Sequence, residues 1–416
     1  MHRVVVTGLG TLNALGATPG GTFAACLAGR SGVRRAPELA VNGTIPLVAS
    51  AEFDPTVVVP RRRCAPLDRA SALALYAARE AVADAGPGLA IDSTRAGTYW
   101  GTGMGGAQTI EDSYRAVFRD NDWRLKPTSV VTGMTNAAAA MISLELGIKG
   151  PVLTYSVACA SSAVAIGEAA RAIRHGEIDC ALAGGSEALL TKGIVSAWTA
   201  LRTLAREDRA DAARSCKPFS AQRSGFVLGE GAAALALESA EHAERRGARV
   251  YAELAGYGLA SDATHIADPS PDGQTRAMTA AVRDAGIRPA DVGYINAHGT
   301  ATIVGDRVET ESIRRVFGAS ARAIPVSSTK PLHGHVMGAT GAIEFLVALL
   351  ALQSGSIPPT AHFERADPEL ELDYVPEGAR HGMKLSAVLS NSFAFGGTNA
   401  VLVACRADRR PAGHQG

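Results

Sequence analysis

Strand-like and helix-like runs alternate twice along this chain, and that rhythm restricts the fold more than any other feature. In the first series Val4-Val5-Val6 reads as a buried strand, and residues 68–85 carry apolar side chains at helical spacing with Gly86 as their stop. Thr98-Tyr99-Trp100 is a short strand before a glycine turn, and residues 152–157 are strand-like and lead into Cys159. Ser161–Arg174 is an alanine-rich helix closed by His175-Gly176, and residues 178–182 form the next strand, ended by Gly184-Gly185. A charged helical stretch at 240–249 separates this from a second series: strand 250–254, helix 275–285, strand Val292–Asn296, apolar helix 342–352 and a late strand at 385–390. Such alternation predicts an α/β protein whose helices are layered over its sheets. The chain has 416 residues, more than the roughly 250–300 that one core usually holds, so two packed halves are expected, residues 1–247 and 248–416. The halves share a rhythm, although no internal repeat is visible by sequence identity.

Composition narrows the choice of partners. There are 41 basic and 40 acidic residues, a net charge of +1, which gives no reason to expect nucleic acid or a membrane surface. The six cysteines are scattered and none forms a C-x-x-C pair, which argues against a disulfide framework and a zinc ribbon. The opening apolar run is too short for a signal peptide, and the longest greasy stretch, residues 345–352, is far short of the ~20 residues a membrane span needs. The expectation is a cytoplasmic protein in a reducing compartment, with no metal.

Four segments carry candidate chemistry. In Ser156-Val157-Ala158-Cys159-Ala160-Ser161-Ser162 a strand ends, small residues turn, and a helix begins at the cysteine. An arbitrary cysteine is usually inert and buried. One at a helix N-terminus feels the positive end of the macrodipole, so Cys159 is expected to favour the thiolate and to be the most reactive thiol. Asn296-Ala297-His298-Gly299-Thr300-Ala301-Thr302 delivers a histidine from a strand into a hydroxyl-bearing loop, and 327–335 ends in Lys330-Pro331-Leu332-His333-Gly334-His335. Single loop histidines are mostly packed or solvated; two at strand exits beside glycine are harder to dismiss. Glu344 lies on the apolar helix that follows, so a buried Lys330–Glu344 pair is expected, since buried charges need partners. The fourth segment, Asn391-Ser392-Phe393-Ala394-Phe395-Gly396-Gly397-Thr398-Asn399, suits a backbone that approaches a ligand closely.

Together these segments resemble one family, the elongating β-ketoacyl-acyl-carrier-protein synthases of the thiolase-like superfamily. The resemblance runs from Val5-Val6-Thr7-Gly8-Leu9-Gly10 through Gly225-Phe226-Val227-Leu228-Gly229-Glu230-Gly231 to the Phe395 loop. It implies a thiolase-like fold of two similar halves, layered α-β-α-β-α. It also implies that Cys159 carries the acyl group, with the N–H groups of Cys159 and Phe395 as oxyanion hole. His298 and His335 would stabilise the enolate of a decarboxylating malonyl thioester, and Lys330 would set the electrostatics around His335 with Glu344 as its partner. Thr300 and Thr302 would bind the phosphopantetheine arm, Phe395 would gate the acyl pocket and Trp198 would line it. No cofactor is implied, because the arm arrives on the acyl carrier protein. The carrier would dock on Arg61, Arg62, Arg63, Arg124, Lys126 and Arg202. A homodimer is expected, with a heterodimer of related subunits as the alternative. Ala394 departs from the glycine common before the gating phenylalanine. Cys405 lies too late, and without a glycine-rich context, to serve as a thiolase's second cysteine. A nucleotide-dependent oxidoreductase is the remote competitor: Gly101-Thr102-Gly103-Met104-Gly105-Gly106 matches G-x-G-x-x-G, with Asp120 and Asp122 near the distance of a ribose partner.

Overall fold

The computed structural model describes residues 1–41, 43–59, 67–89 and 92–408. In chain order the strands are β1 (Val4–Asn13), β2 (Val33–Arg35), β3 (Leu47–Ala49), β4 (Ala96–Gly101), β5 (Val152–Tyr155), β6 (Cys180–Glu187) and β7 (Leu228–Gly229). They continue as β8 (Gly231–Ser239), β9 (Ala252–Ser261), β10 (Val292–Asn296), β11 (Val326–Ser327), β12 (Ala387–Phe393) and β13 (Thr398–Cys405). Ten of them run in the order β11-β10-β12-β13-β9-β1-β8-β6-β4-β5, while β2, β3 and β7 form a small separate sheet. On one side β5, β4 and β6 are parallel, and β8 and β1 follow antiparallel. On the other, β11, β10 and β12 are parallel, and β13 and β9 follow antiparallel. The two five-stranded halves meet at a thin seam, where Val5 faces Glu253 and Val6 faces Ala252.

Strand periodicity explains how the layers stack. Alternate side chains point to opposite faces. On β6, Cys180 and Leu182 join the core beneath helices Arg69–Ala85 and Ala137–Leu146, whereas Ala181 and Ala183 join the central core. On β13, Ala400, Leu402 and Ala404 face the central core, and Val401, Val403 and Cys405 face helices Pro271–Asp284 and Ile303–Phe317. Helices Ser161–Arg174 and Thr340–Ser354 fill the centre between the two half-sheets. The result is the five-layer α-β-α-β-α arrangement.

The internal repeat hidden from sequence identity is plain in the packing. A Cβ on Gly8 would lie 2.2 Å from the Ala81 carbonyl oxygen, and one on Gly256 2.2 Å from that of Ala281. The Leu9 N–H donates to Asp84 (2.9 Å) and the Tyr257 N–H to Asp284 (2.8 Å). Each half thus presses a glycine strand onto an alanine helix and pins it with an aspartate.

Local signals set many boundaries. The Asp68 carboxylate caps helix Arg69–Ala85 by accepting from the Ala70 N–H, and Gly86 ends it at φ 79°. β8, with the sequence GAAALALES, was not foreseen, because alanine is a poor strand former; burial of every residue replaces propensity. Helix Ile303–Phe317 and β13 were not foreseen either. The apolar stretch is also longer than residues 345–352. Met337–Ser354 is long and apolar enough to cross a membrane by length and composition, and 83% of it is buried inside the protein.

Candidate active site

Cys159 sits on a single tight turn, Ala158–Ala160, between β5 and helix Ser161–Arg174. Ala158 adopts φ 48°, a left-handed conformation that costs a non-glycine residue about 1–2 kcal/mol. Ser161 stabilises the elbow: its Oγ accepts from the Val157 N–H (2.9 Å) and donates to the Ala158 carbonyl (2.6 Å). Cys159 is 5% exposed. Burial pushes it up to about 12, against the pull of the Lys330 charge and of the Phe395 and Cys159 backbone N–H groups. This corrects the expectation of a resting thiolate, since desolvation outweighs the helix terminus. Cys26, Cys180 and Cys216 are likewise pushed to about 12 by burial. Among the residues lining the channel described below, Cys159 is the one cysteine. Cys64 lies outside the described residues.

His335 faces the sulfur, with Nε2 3.1 Å from Cys159 Sγ. Its Nδ1 accepts from the Met337 N–H at 3.2 Å and lies 2.9 Å from Thr340 Oγ1. A ring nitrogen that accepts a backbone N–H carries no proton of its own, so the proton of the neutral ring is on Nε2. His335 therefore donates to Cys159 and cannot act as its base.

His298 emerges from β10 with its backbone clamped on both sides. Glu309 accepts from the N–H of His298 (2.8 Å) and of Gly299 (2.7 Å), and from Asn391 Nδ2 at 3.0 Å. The Lys330 ammonium donates to the His298 carbonyl and to Glu344 Oε1, the latter at 2.7 Å. Both members of the Lys330–Glu344 pair are fully buried. Burial pushes Glu344 up to about 7 while Lys330 opposes the shift. Lys330 thus reaches His298 as well as His335. Burial holds both imidazoles well below their ordinary range, and the Lys330 charge adds to the effect at each. The ring centroids stand 5.5 Å apart at 81°. One nitrogen from each ring and the cysteine sulfur lie within 4.8 Å of one another.

These groups close the inner end of a channel of about 390 Å³, which Thr300, Thr302 and Phe395 also line. The two hydroxyls bond each other at 2.9 Å, and Thr302 caps helix Ile303–Phe317. Trp198 does not line this channel. It stacks on Phe395 (6.1 Å, 22°) and meets the edge of Phe226, which in turn meets His335 edge-on at 5.0 Å. Its ring contacts are with Phe226 and with Phe395, the expected gate. The expected docking residues are not gathered at one place: Arg202 is exposed at the channel mouth, whereas Arg124 and Lys126 line a separate cleft with Asp68 and Arg69. Arg124 pairs with Asp122 at 3.0 Å. Arg61, Arg62 and Arg63 lie outside the described residues.

The sequence reading missed Glu309, Thr340 and Glu187. Glu309 was findable in principle, because Asp306 and Glu309 sit on the buried face of an amphipathic helix, where an acid needs donors. Glu187 disposes of the dinucleotide reading. Its carboxylate accepts from the N–H groups of Gly103 (2.6 Å), Met104 (3.2 Å) and Gly338 (2.9 Å). The glycine turn spends on an internal carboxylate the donors a pyrophosphate would need.

Comparison with known proteins agrees with this geometry. The chain is 42% identical over 405 residues to Nodulation protein E of Rhizobium sp. (strain N33), covering 96% of this chain and 98% of that protein. It is 40% identical over 414 residues to 3-oxoacyl-[acyl-carrier-protein] synthase 2 of Coxiella burnetii (strain RSA 493 / Nine Mile phase I), covering 97% and 99%. The solved structure of a type II polyketide synthase acyl-carrier protein in complex with its ketosynthase bound to the hexaketide superposes with a TM-score of 0.90. That match has 32% identity and covers 98% of this chain and 100% of the other. Residues 1–243 match the Beta-ketoacyl synthase N-terminal domain and residues 251–364 its C-terminal domain, and the chain belongs to the β-ketoacyl synthase family.

Proposed function

We propose that this protein catalyses a decarboxylating Claisen condensation in fatty-acid or polyketide synthesis. Cys159 attacks an acyl thioester delivered by an acyl carrier protein. The new carbon–sulfur bond forms as the bond to the arm breaks, and the Cys159 proton leaves on the arm's thiol. The N–H groups of Phe395 and Cys159 hold the oxyanion during transfer. A malonyl thioester then enters past Thr300 and Thr302 and loses carbon dioxide. Its enolate oxygen accepts from neutral His298 and His335, and its carbon bonds to the acyl carbon as the bond to Cys159 Sγ breaks, the released thiolate taking a proton from solvent. A 3-oxoacyl thioester leaves. Neutral imidazoles suit this task because they donate without first being protonated, and burial, reinforced by the Lys330 charge, keeps them neutral. The phosphopantetheine arm comes with the carrier, so the chain needs no cofactor of its own.

The observation that carries this reading is the Met337 N–H at His335 Nδ1, which leaves the proton of the neutral ring on Nε2, 3.1 Å from Cys159 Sγ. The test pairs intact mass with carbon dioxide release. Wild type should gain an acyl mass on Cys159 and release carbon dioxide from malonyl carrier. Cys159→Ala should gain no acyl group, while His298→Ala should be acylated yet release none. Near wild-type condensation by His298→Ala refutes its role.

A second reading, a ketosynthase subunit active only with a related partner, draws on the free sheet edge. β5 ends the sheet with Val152 and Leu153 exposed, and residues 104–153 also expose Tyr114, Phe118, Trp123 and Val130. An unpaired apolar edge invites another chain. Carbon dioxide release by the purified chain alone decides against the need for a different partner.

A further inference from the structure

Outside the channel mouth lies a second cleft, of about 700 Å³, that the reading above leaves unused. It shares Arg202, Ser224 and Ile303 with the channel wall and continues over Arg206, Arg209 and Lys217. Its two carboxylates are already taken, Glu207 by Arg35 and Asp208 by Lys217. Lys217 also holds Glu364 at 2.7 Å, and Arg223 on the same wall holds Asp367 at 2.6 Å. That leaves the guanidinium groups of Arg202, Arg206 and Arg209, all exposed and without an ion pair among the described residues. The backbone from Leu204 to Arg206 is held against the channel wall. Leu204 bridges Phe226, the Ala205 N–H donates to the Phe226 carbonyl at 2.8 Å, and the Arg206 N–H donates to Ser224 Oγ at 3.0 Å. Arg202 turns at φ 60° where the two spaces meet.

Three exposed guanidiniums without carboxylate partners along one cleft suit phosphate, because the planar fork matches phosphate oxygens bidentately. A pantetheine arm reaching Cys159 carries a phosphate at its outer end. In a carrier protein that phosphate joins a serine on a convex helix. In coenzyme A it continues into a second phosphate and a 3′-phosphorylated adenosine, a branched small anion that a cleft encloses. We propose that this cleft seats the nucleotide end of coenzyme A and that Cys159 is charged from acyl-CoA as well as from a carrier. The inference rests on the reading of Cys159 as an acyl acceptor. The step is thioester exchange: the acyl carbon bonds to Sγ, its bond to the CoA sulfur breaks, and the cysteine proton ends on the CoA thiol.

The test compares rates of Cys159 acylation from acyl-CoA, acyl-pantetheine without phosphate, and acyl-carrier protein. Wild type should load from acyl-CoA about tenfold or more faster in kcat/KM than from acyl-pantetheine, as expected for charge-assisted phosphate contacts. That advantage should shrink as salt rises. Arg206→Glu with Arg209→Glu should lower acyl-CoA loading to the acyl-pantetheine rate, with the melting temperature unchanged. Arg206→Gln with Arg209→Gln gives the same ordering if charge reversal impairs folding. Loading from acyl-pantetheine with no advantage for CoA overturns the proposal and leaves the acyl-acceptor reading standing. Loss of carrier loading with CoA loading intact also overturns it, and assigns the cleft to the carrier protein. Failure of every thioester to acylate Cys159 overturns both readings.

Discussion

Replacing Lys330 and Glu344 together tests whether a buried charge keeps the histidines neutral. Lys330→Met alone strands Glu344 in the core, and breaking a buried pair this way costs about 3–5 kcal/mol. The double variant Lys330→Met/Glu344→Gln removes both charges and preserves shape. Lys330 bonds the His298 carbonyl and lowers both imidazoles. A unit charge about 6 Å from a ring, at an effective dielectric of about 20, disfavours the imidazolium by roughly 3 kcal/mol, or about two pKa units. In wild type both folded-state values lie well below 6.5, so the rings stay neutral as pH falls through that value. Carbon dioxide release from malonyl carrier should therefore show no acid limb at the ordinary histidine pKa of about 6.5. In the double variant burial still depresses both rings but the Lys330 contribution is gone, so the acid limb should begin at a higher pH than in wild type. Lys330→Arg, which keeps the charge, should restore the flat profile if it folds. An unchanged profile in the double variant, with a normal melting temperature, would refute the electrostatic argument.

Two further outcomes follow from packing. Trp198→Ala removes the ring stacked on Phe395, and such aromatic pairs are worth about 0.5–1.5 kcal/mol beyond buried area. The effect should appear as altered rates of Cys159 acylation for all chain lengths, with a shift in length preference alone pointing instead to an acyl-pocket wall. On the proposal that two copies pair through the exposed edge of β5, wild type should have the mass of two chains by light scattering and Leu153→Arg that of one. An unchanged assembly would show that this edge is not the interface.

The elements most legible in the sequence were those with clear punctuation. Ser161–Arg174 and Val292–Asn296 were read to the residue, because glycine and polar residues bound them. β9 was expected at 250–254 but runs Ala252–Ser261, because Gly256 and Gly258 look like breakers yet admit the helix that packs on them. The groups around Cys159 were legible by residue type and order. What they do to one another was not. The sulfur–imidazole contact, the His335 tautomer and the Glu309 clamp arise from contacts across 176, 2 and 11 positions of sequence. Only the shortest of these is a local pattern.

The seam between the halves has a consequence of its own. Cys159 belongs to the first half and both histidines to the second, yet the half-sheets meet at only two residue pairs. Their alignment is set by the central helices, where the Ala342 N–H donates to Ser162 Oγ at 2.9 Å and a Cβ on Gly341 would lie 3.0 Å from that of Ala163. The 3.1 Å gap from sulfur to imidazole is thus a gauge of how the halves are docked. A slide in the middle layer that left every helix and strand intact would still open this gap.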